Sequence, residues 1–107
     1  MRKTDMAFPQ QGIVRDVVTE VVRLGAEAVE VQYKDRCEHV FALRGGVGVG
    51  IAQFPSSGRE ASVLREELSV LAKKKQRVVI GDAEYELRAR KYESFGEDAF
   101  QVAWRRI

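Results

Sequence analysis

Few residues in this sequence could do chemistry, and their spacings say which kinds are open to it. Arg44-Gly45-Gly46-Val47-Gly48-Val49-Gly50-Ile51-Ala52 is rich in glycine, the residue that lets backbone amides close on a phosphate. A dinucleotide loop follows a strand and opens a helix, whereas here Val47, Val49 and Ile51 alternate with glycine as a strand does. No Gly-Lys-Ser or Gly-Lys-Thr occurs, so P-loop chemistry is excluded. The stretch is expected to be a strand with one nearly bare face, open to close approach by a helix, another backbone or a partner.

Cys37 and His39 are the only residues of their types. Two positions apart on a strand they point the same way but stand about 7 Å apart, too far for a thiol–imidazole pair. They also fall short of the three or four ligands a metal needs, so no metal site and no cofactor is expected. With a single cysteine no internal disulfide can form, which points to a reducing compartment. The carboxylates are scattered, and none has surroundings that would keep it protonated as a general acid at neutral pH. Glu66 and Glu67, consecutive on a helix, are read as solvated. No catalytic set emerges, and the chain is expected not to be an enzyme.

Arg88, Arg90 and Arg105 are the guanidinium groups best suited to an anion, because their forked donors match phosphate or carboxylate oxygens. Whether they act together depends on strand pairing. Val78 and Ile80 precede a Gly81-Asp82 turn, and the chain continues through Tyr85, Leu87 and Ala89. It then turns through Glu93-Ser94-Phe95-Gly96-Glu97 and returns with Phe100, Val102 and Trp104. If Arg90 lies opposite Gln101, antiparallel register places Arg88 opposite Ala103 and Glu86 opposite Arg105. The outward face then carries Glu84, Glu86 and the three arginines. Cross-strand ion pairs account for part of it, and Arg88 and Arg90 beside small Ala103 could admit a phosphate. Trp104, in phase with Phe100 and Val102, is expected in the core rather than as a base-stacking platform.

The elements that position these groups follow from periodicity. Ile13, Val14, Val17, Val18, Val21 and Leu24 form a helical apolar stripe, with Pro9 suited to its start and Gly25 to its left-handed end. A second helix is marked by Ser57 and Glu60, which match a capping box, and by Ala61, Leu64, Leu68 and Leu71. Lys73, Lys74 and Lys75 at its carboxyl end complement the helix dipole. Val29, Val31 and Tyr33 alternate as a strand. Cys37, His39, Phe41 and Leu43 share one face of the next strand, against Glu38, Val40, Ala42 and Arg44, with Lys34-Asp35-Arg36 as the tight connection.

The expected architecture is a single α+β domain over residues 1–107, with two helices on a mainly antiparallel sheet of about six strands. Its core should hold Val17, Val21, Leu24, Val29, Val31, Phe41, Leu64, Leu68, Leu71, Leu87, Phe100, Val102 and Trp104. With 45% hydrophobic and 32% charged residues, the composition is that of a globular chain rather than a disordered one. No run of about 18 apolar residues is present and the first residues lack a signal-peptide core, so a cytoplasmic location is expected. The net charge of +2 is near balance, which makes nucleic acid the less favoured partner even with Lys73, Lys74, Lys75 and Arg77 near the arginines.

Gly25-Ala26-Glu27-Ala28-Val29-Glu30-Val31-Gln32 resembles the Gly-Ala-Ser-Asp-Ile-His-Ile-Glu strand of the small PAS-like domain that precedes the motor in type II secretion and type IV pilus assembly ATPases. Arg44-Gly45-Gly46-Val47 is similar to that family's Arg-x-Asp-Gly-Val hairpin, shortened by one residue. Leu87-Arg88 and Gly96-Glu97 look like its later Leu-Arg strand and Gly-Glu turn. Glu30 and Gln32 stand where the family has His and Glu. The resemblance implies a PAS-like fold and a role for Arg88, and less directly Arg44, in reaching a nucleotide held by an adjoining motor. The motor is not in this chain, which is therefore expected to be either an excised domain or a stand-alone relative. The leading expectation is a non-catalytic protein-interaction or regulatory module. Its partner would be another protein, either a motor domain in cis or in trans or a second copy through an exposed strand edge. The alternative is a phosphate or nucleic-acid binding module using Arg88, Arg90 and Arg105.

Overall fold

In the computed structural model, which describes residues 12–107, the chain runs helix, three strands, helix, three strands. Helix α1 spans Ile13–Arg23, and strands β1, β2 and β3 span Ala28–Lys34, Cys37–Arg44 and Val47–Pro55. Helix α2 spans Arg59–Lys73, and β4, β5 and β6 span Gln76–Ile80, Ala83–Ser94 and Glu97–Arg106. The strands form one sheet in the order β3-β2-β1-β6-β5-β4, antiparallel throughout. Each set of three is a meander, and the two meet where β1 pairs with β6.

Two-residue turns close the hairpins. Asp35-Arg36, Gly45-Gly46 and Phe95-Gly96 all sit at positive φ, the left-handed pair whose twist suits a tight hairpin. Helix α1 ends as its sequence indicates. Gly25 takes φ 80, its N–H reaches the Val22 carbonyl, and the Ala26 N–H reaches that of Val21, a double closure that satisfies the last carbonyls. Pro9 lies outside the described residues.

Both helices pack on the face carrying Val29, Val31, Val40, Ala42, Leu87, Phe100 and Val102, to which they add Val14, Val18, Val21, Leu64, Leu68 and Leu71. Four core expectations need correction. Leu24 is 55% exposed, because the closure that follows α1 turns it outward. Val17 and Trp104 are half-buried at the margin of the core. Phe41 lies on the opposite face of the sheet. The alternation along β2 is as read, but its sides are reversed: Val40 and Ala42 face Val31 and Val29 across the ladder, so they are the inward set. Phe41 and Leu43 lie over Gly50 and Gly48 instead, within 3.4–3.9 Å of where a Cβ would stand. The bare glycine face therefore receives side chains of its own neighbouring strand.

Inward Glu38 is only 5% exposed, and Arg65 of α2 meets its carboxylate at 2.9 Å. Two helix caps also differ from expectation. Gly58, not Ser57, is the N-cap of α2, and no side chain bonds there, so the Ser57–Glu60 box does not form. Glu67 is not solvated. Its Oε1 accepts the Val14 N–H at 2.9 Å, so a carboxylate from α2 satisfies an otherwise unpaired donor in the first turn of α1.

Candidate functional site

The face turned away from the helices carries the groups of interest, and no described helix covers it. The register of β5 with β6 pairs Arg90 with Gln101, Arg88 with Ala103 and Glu86 with Arg105. Continuing across β6, Ala103 pairs with Ala28 and Gln101 with Glu30, which pair in turn with Leu43 and Phe41. One row across the sheet thus runs Arg88, Ala103, Ala28, Leu43, and the next runs Arg90, Gln101, Glu30, Phe41. The small alanines make the floor, and the long side chains of β5 stand above it.

At the arginine end of these rows lies a depression of about 250 Å³ lined by Arg88, Ala89, Arg90, Gln101 and Ala103. Arg90 donates to Gln101 Oε1 at 3.2 Å and sits 5.6 Å from the centre of the Tyr92 ring, so one guanidinium is held by an amide and an aromatic face. Arg105 donates through Nε to Glu86 Oε1 at 3.0 Å. That hydrogen bond, then the charges of Arg105, Lys75 and Arg77, hold the Glu86 carboxyl below the usual range against the opposing effect of its desolvation. Among the described residues Arg88 makes no ion pair. Arg90 makes none either, but it is held by Gln101 and Tyr92, whereas Arg88 has no such side-chain partner among the described residues.

Three of the four arginines singled out in the sequence therefore share one face, and Arg88 and Arg90 share one depression. Arg44 is not brought to them. It lies two residues beyond inward-facing Ala42, at the exposed end of β2, on the helix side of the sheet. Cys37 and His39 share a face as expected. His39 stacks on Phe41 with ring centres 6.2 Å apart, and its Nε2 lies 3.0 Å from the Lys34 carbonyl oxygen, so both ring and nitrogen are occupied away from the thiol. Among the described residues no group of three or more His, Cys, Asp or Glu is placed to hold a metal ion. None of the described helices is long and apolar enough to cross a membrane.

Sequence reasoning missed the polar strip beside the depression. Tyr92, Gln32 and Glu30 come together only because β6 lies between β5 and β1, a neighbour relation that strand periodicity does not encode. The Tyr92 hydroxyl is enclosed without a partner at hydrogen-bonding geometry among the described residues, although Gln32 and Glu30 flank it. Burial pushes the phenol up, Gln32 opposes this, and the Glu30 carboxylate adds to it. A larger depression, about 530 Å³, lies between the two helices and β4 and takes in Glu67, whose carboxylate is already spent on α1. The arginine depression is the better candidate for a ligand because it retains an unmatched charge. No protein-family model matches the chain, and no curated protein matches it either.

Proposed function

We propose that the chain is a non-catalytic protein-interaction module that presents the arginine-bearing sheet face to a partner with an anionic group. The observation behind this reading is Arg88: a guanidinium without an ion pair among the described residues, standing over Ala103 on an uncovered face. The same residue is the one that the resemblance to secretion-ATPase amino-terminal domains assigns to an anion held by a motor, and the reading places such a motor among the expected partners. Phe41 and Leu43, half-buried at the far end of the same rows and three strands from the arginines, offer apolar contact on that face. A desolvated guanidinium paired across such a surface favours one geometry over others.

The test is capture from native lysate with the wild-type chain and with Arg88→Glu. A protein enriched by the first and lost with the second, both remaining folded by circular dichroism, supports the reading. Identical capture by both, or none by either, rejects it.

A second reading, a phosphate-binding module, is favoured by the depression itself, where two arginines and Gln101 converge. Titration with inorganic pyrophosphate, followed by amide resonances, should then move Arg88, Arg90 and Gln101 at low salt, and the response should fade as salt rises. No movement at millimolar pyrophosphate and low salt would remove this reading.

A further inference from the structure

The two edges of the sheet are treated differently. Strand β4 is five residues long, carries Arg77, and has its Val79 carbonyl occupied by Arg15 Nη2 at 3.2 Å. Strand β3 is nine residues long, Val-Gly-Val-Gly-Ile-Ala-Gln-Phe-Pro, without a charged residue in it. Short length, charge and covered backbone groups are how proteins keep an edge from pairing, and among the described residues β3 has none of the three over its first half.

The backbone of β3 is oriented for pairing. A two-residue turn at Gly45-Gly46 makes Arg44 and Val47 a hydrogen-bonded pair. Alternation along an antiparallel ladder then turns the N–H and C=O of Gly48 and Gly50 away from β2, toward the edge that no other described strand pairs with. Val47 and Val49, on the helix side, are 62% and 57% exposed. The ladder to β2 shifts register after Gly50, at a bulge that ends the regular stretch.

We infer that β3 pairs antiparallel with β3 of a second copy of this chain about a two-fold axis through Val49, extending the sheet to twelve strands. This inference deepens the interaction-module reading by naming one of its partners. In this register Gly48 of each copy exchanges backbone hydrogen bonds with Gly50 of the other, Val47 lies opposite Ile51, and Val49 lies opposite itself. The strand is uncharged, so no like charges meet.

Charge complementarity favours a second copy over an arbitrary strand. Beside the second half of β3 lies an apolar groove of about 250 Å³ lined by Ile13, Val17, Ile51, Ala52 and Phe54, with the carboxylates of Asp16 and Glu20 on it. Arg44 makes no ion pair among the described residues and is on the helix side. Pairing about Val49 sets Arg44 of one copy level with Ile51 of the other, two strand spacings or about 10 Å away, within reach of those carboxylates. The symmetry repeats the contact on the other side. The pairing is short, so the dimer belongs among weak, concentration-dependent associations.

Sedimentation equilibrium tests it. The wild-type chain should shift from monomer toward dimer mass between about 10 μM and 1 mM. Val49→Lys and Val49→Glu, at an exposed site, should each weaken association at least about tenfold by placing like charges on the axis, while an equimolar mixture of the two should restore a heterodimer. Arg88→Glu, on the other face and near the other edge, should dimerise as the wild type does, which separates this test from that of the arginine face. A wild-type chain monomeric at 1 mM overturns the inference. So does undiminished dimerisation of Val49→Lys, or a mixture that stays monomeric.

Discussion

Glu86 accepts a hydrogen bond from Arg105 and has Lys75 4.0 Å away, and its carboxyl is held below the usual range chiefly by that hydrogen bond. A carboxyl lowered in the folded state binds a proton less readily there than in the unfolded chain. The pair therefore stabilises the fold above the unfolded value, and its contribution is lost as pH falls through the lowered folded value. Arg105→Ala should make the protein less stable than wild type at neutral pH, and the gap should be smaller at about pH 3, below the ordinary carboxyl range. Urea unfolding of both proteins at the two pH values measures it, and a gap of equal size at both would refute the assignment. This pair was legible in the sequence because one register relation fixes every opposed residue along a hairpin. Glu67 was not legible, since the N–H it caps is 53 positions away and only the packing of α1 against α2 brings them together.

The two ends of α1 are closed by different means, and each predicts a cost. Glu67→Ala removes the acceptor for the Val14 N–H and should destabilise by about 1–2 kcal/mol, the range of an N-terminal cap. Gly25→Ala should cost about 1 kcal/mol for another reason: apart from its chain neighbours, no atom of the described residues lies within 4 Å of the added Cβ, so the penalty is that of a left-handed backbone. Thermal and denaturant unfolding of the two variants would separate the cases, and a Glu67→Ala protein as stable as wild type would show the cap to be dispensable. The left-handed end was readable at Gly25, but the start was not, because the acceptor for the Val14 N–H comes from Glu67, on the other helix. Strand β2 shows a related gap. Alternation sorted its residues into two faces correctly, and hydrophobicity chose the wrong face as inward. Cys37, His39, Phe41 and Leu43 look more apolar than Glu38, Val40, Ala42 and Arg44. Arg65 pairs the Glu38 carboxylate, and the glycines of β3 give Phe41 and Leu43 a surface to lie on, so the second set faces the helices.

At the scale of the molecule, helix count, strand count, antiparallel pairing and the side of the sheet bearing the arginines all follow from local pattern. The order of strands does not, because nothing in two successive helix-and-meander courses says which strands meet. Among the described strands every ladder but one is a hairpin between consecutive strands; the exception joins Val31 to Phe100 and Ala28 to Ala103. Hairpin contacts cost little chain entropy to form, whereas closing β1 on β6 must order most of the described chain before any of its contacts repay the loss. The folding barrier should therefore sit at that seam. Val31→Ala, buried at the seam, should slow refolding in stopped-flow experiments by most of its equilibrium destabilisation, and a variant that only hastened unfolding would move the barrier elsewhere. Until the seam closes, the newly made chain holds two separate meanders whose inner faces are both wet. The seconds or milliseconds before closure are when it is most exposed to aggregation and to proteases.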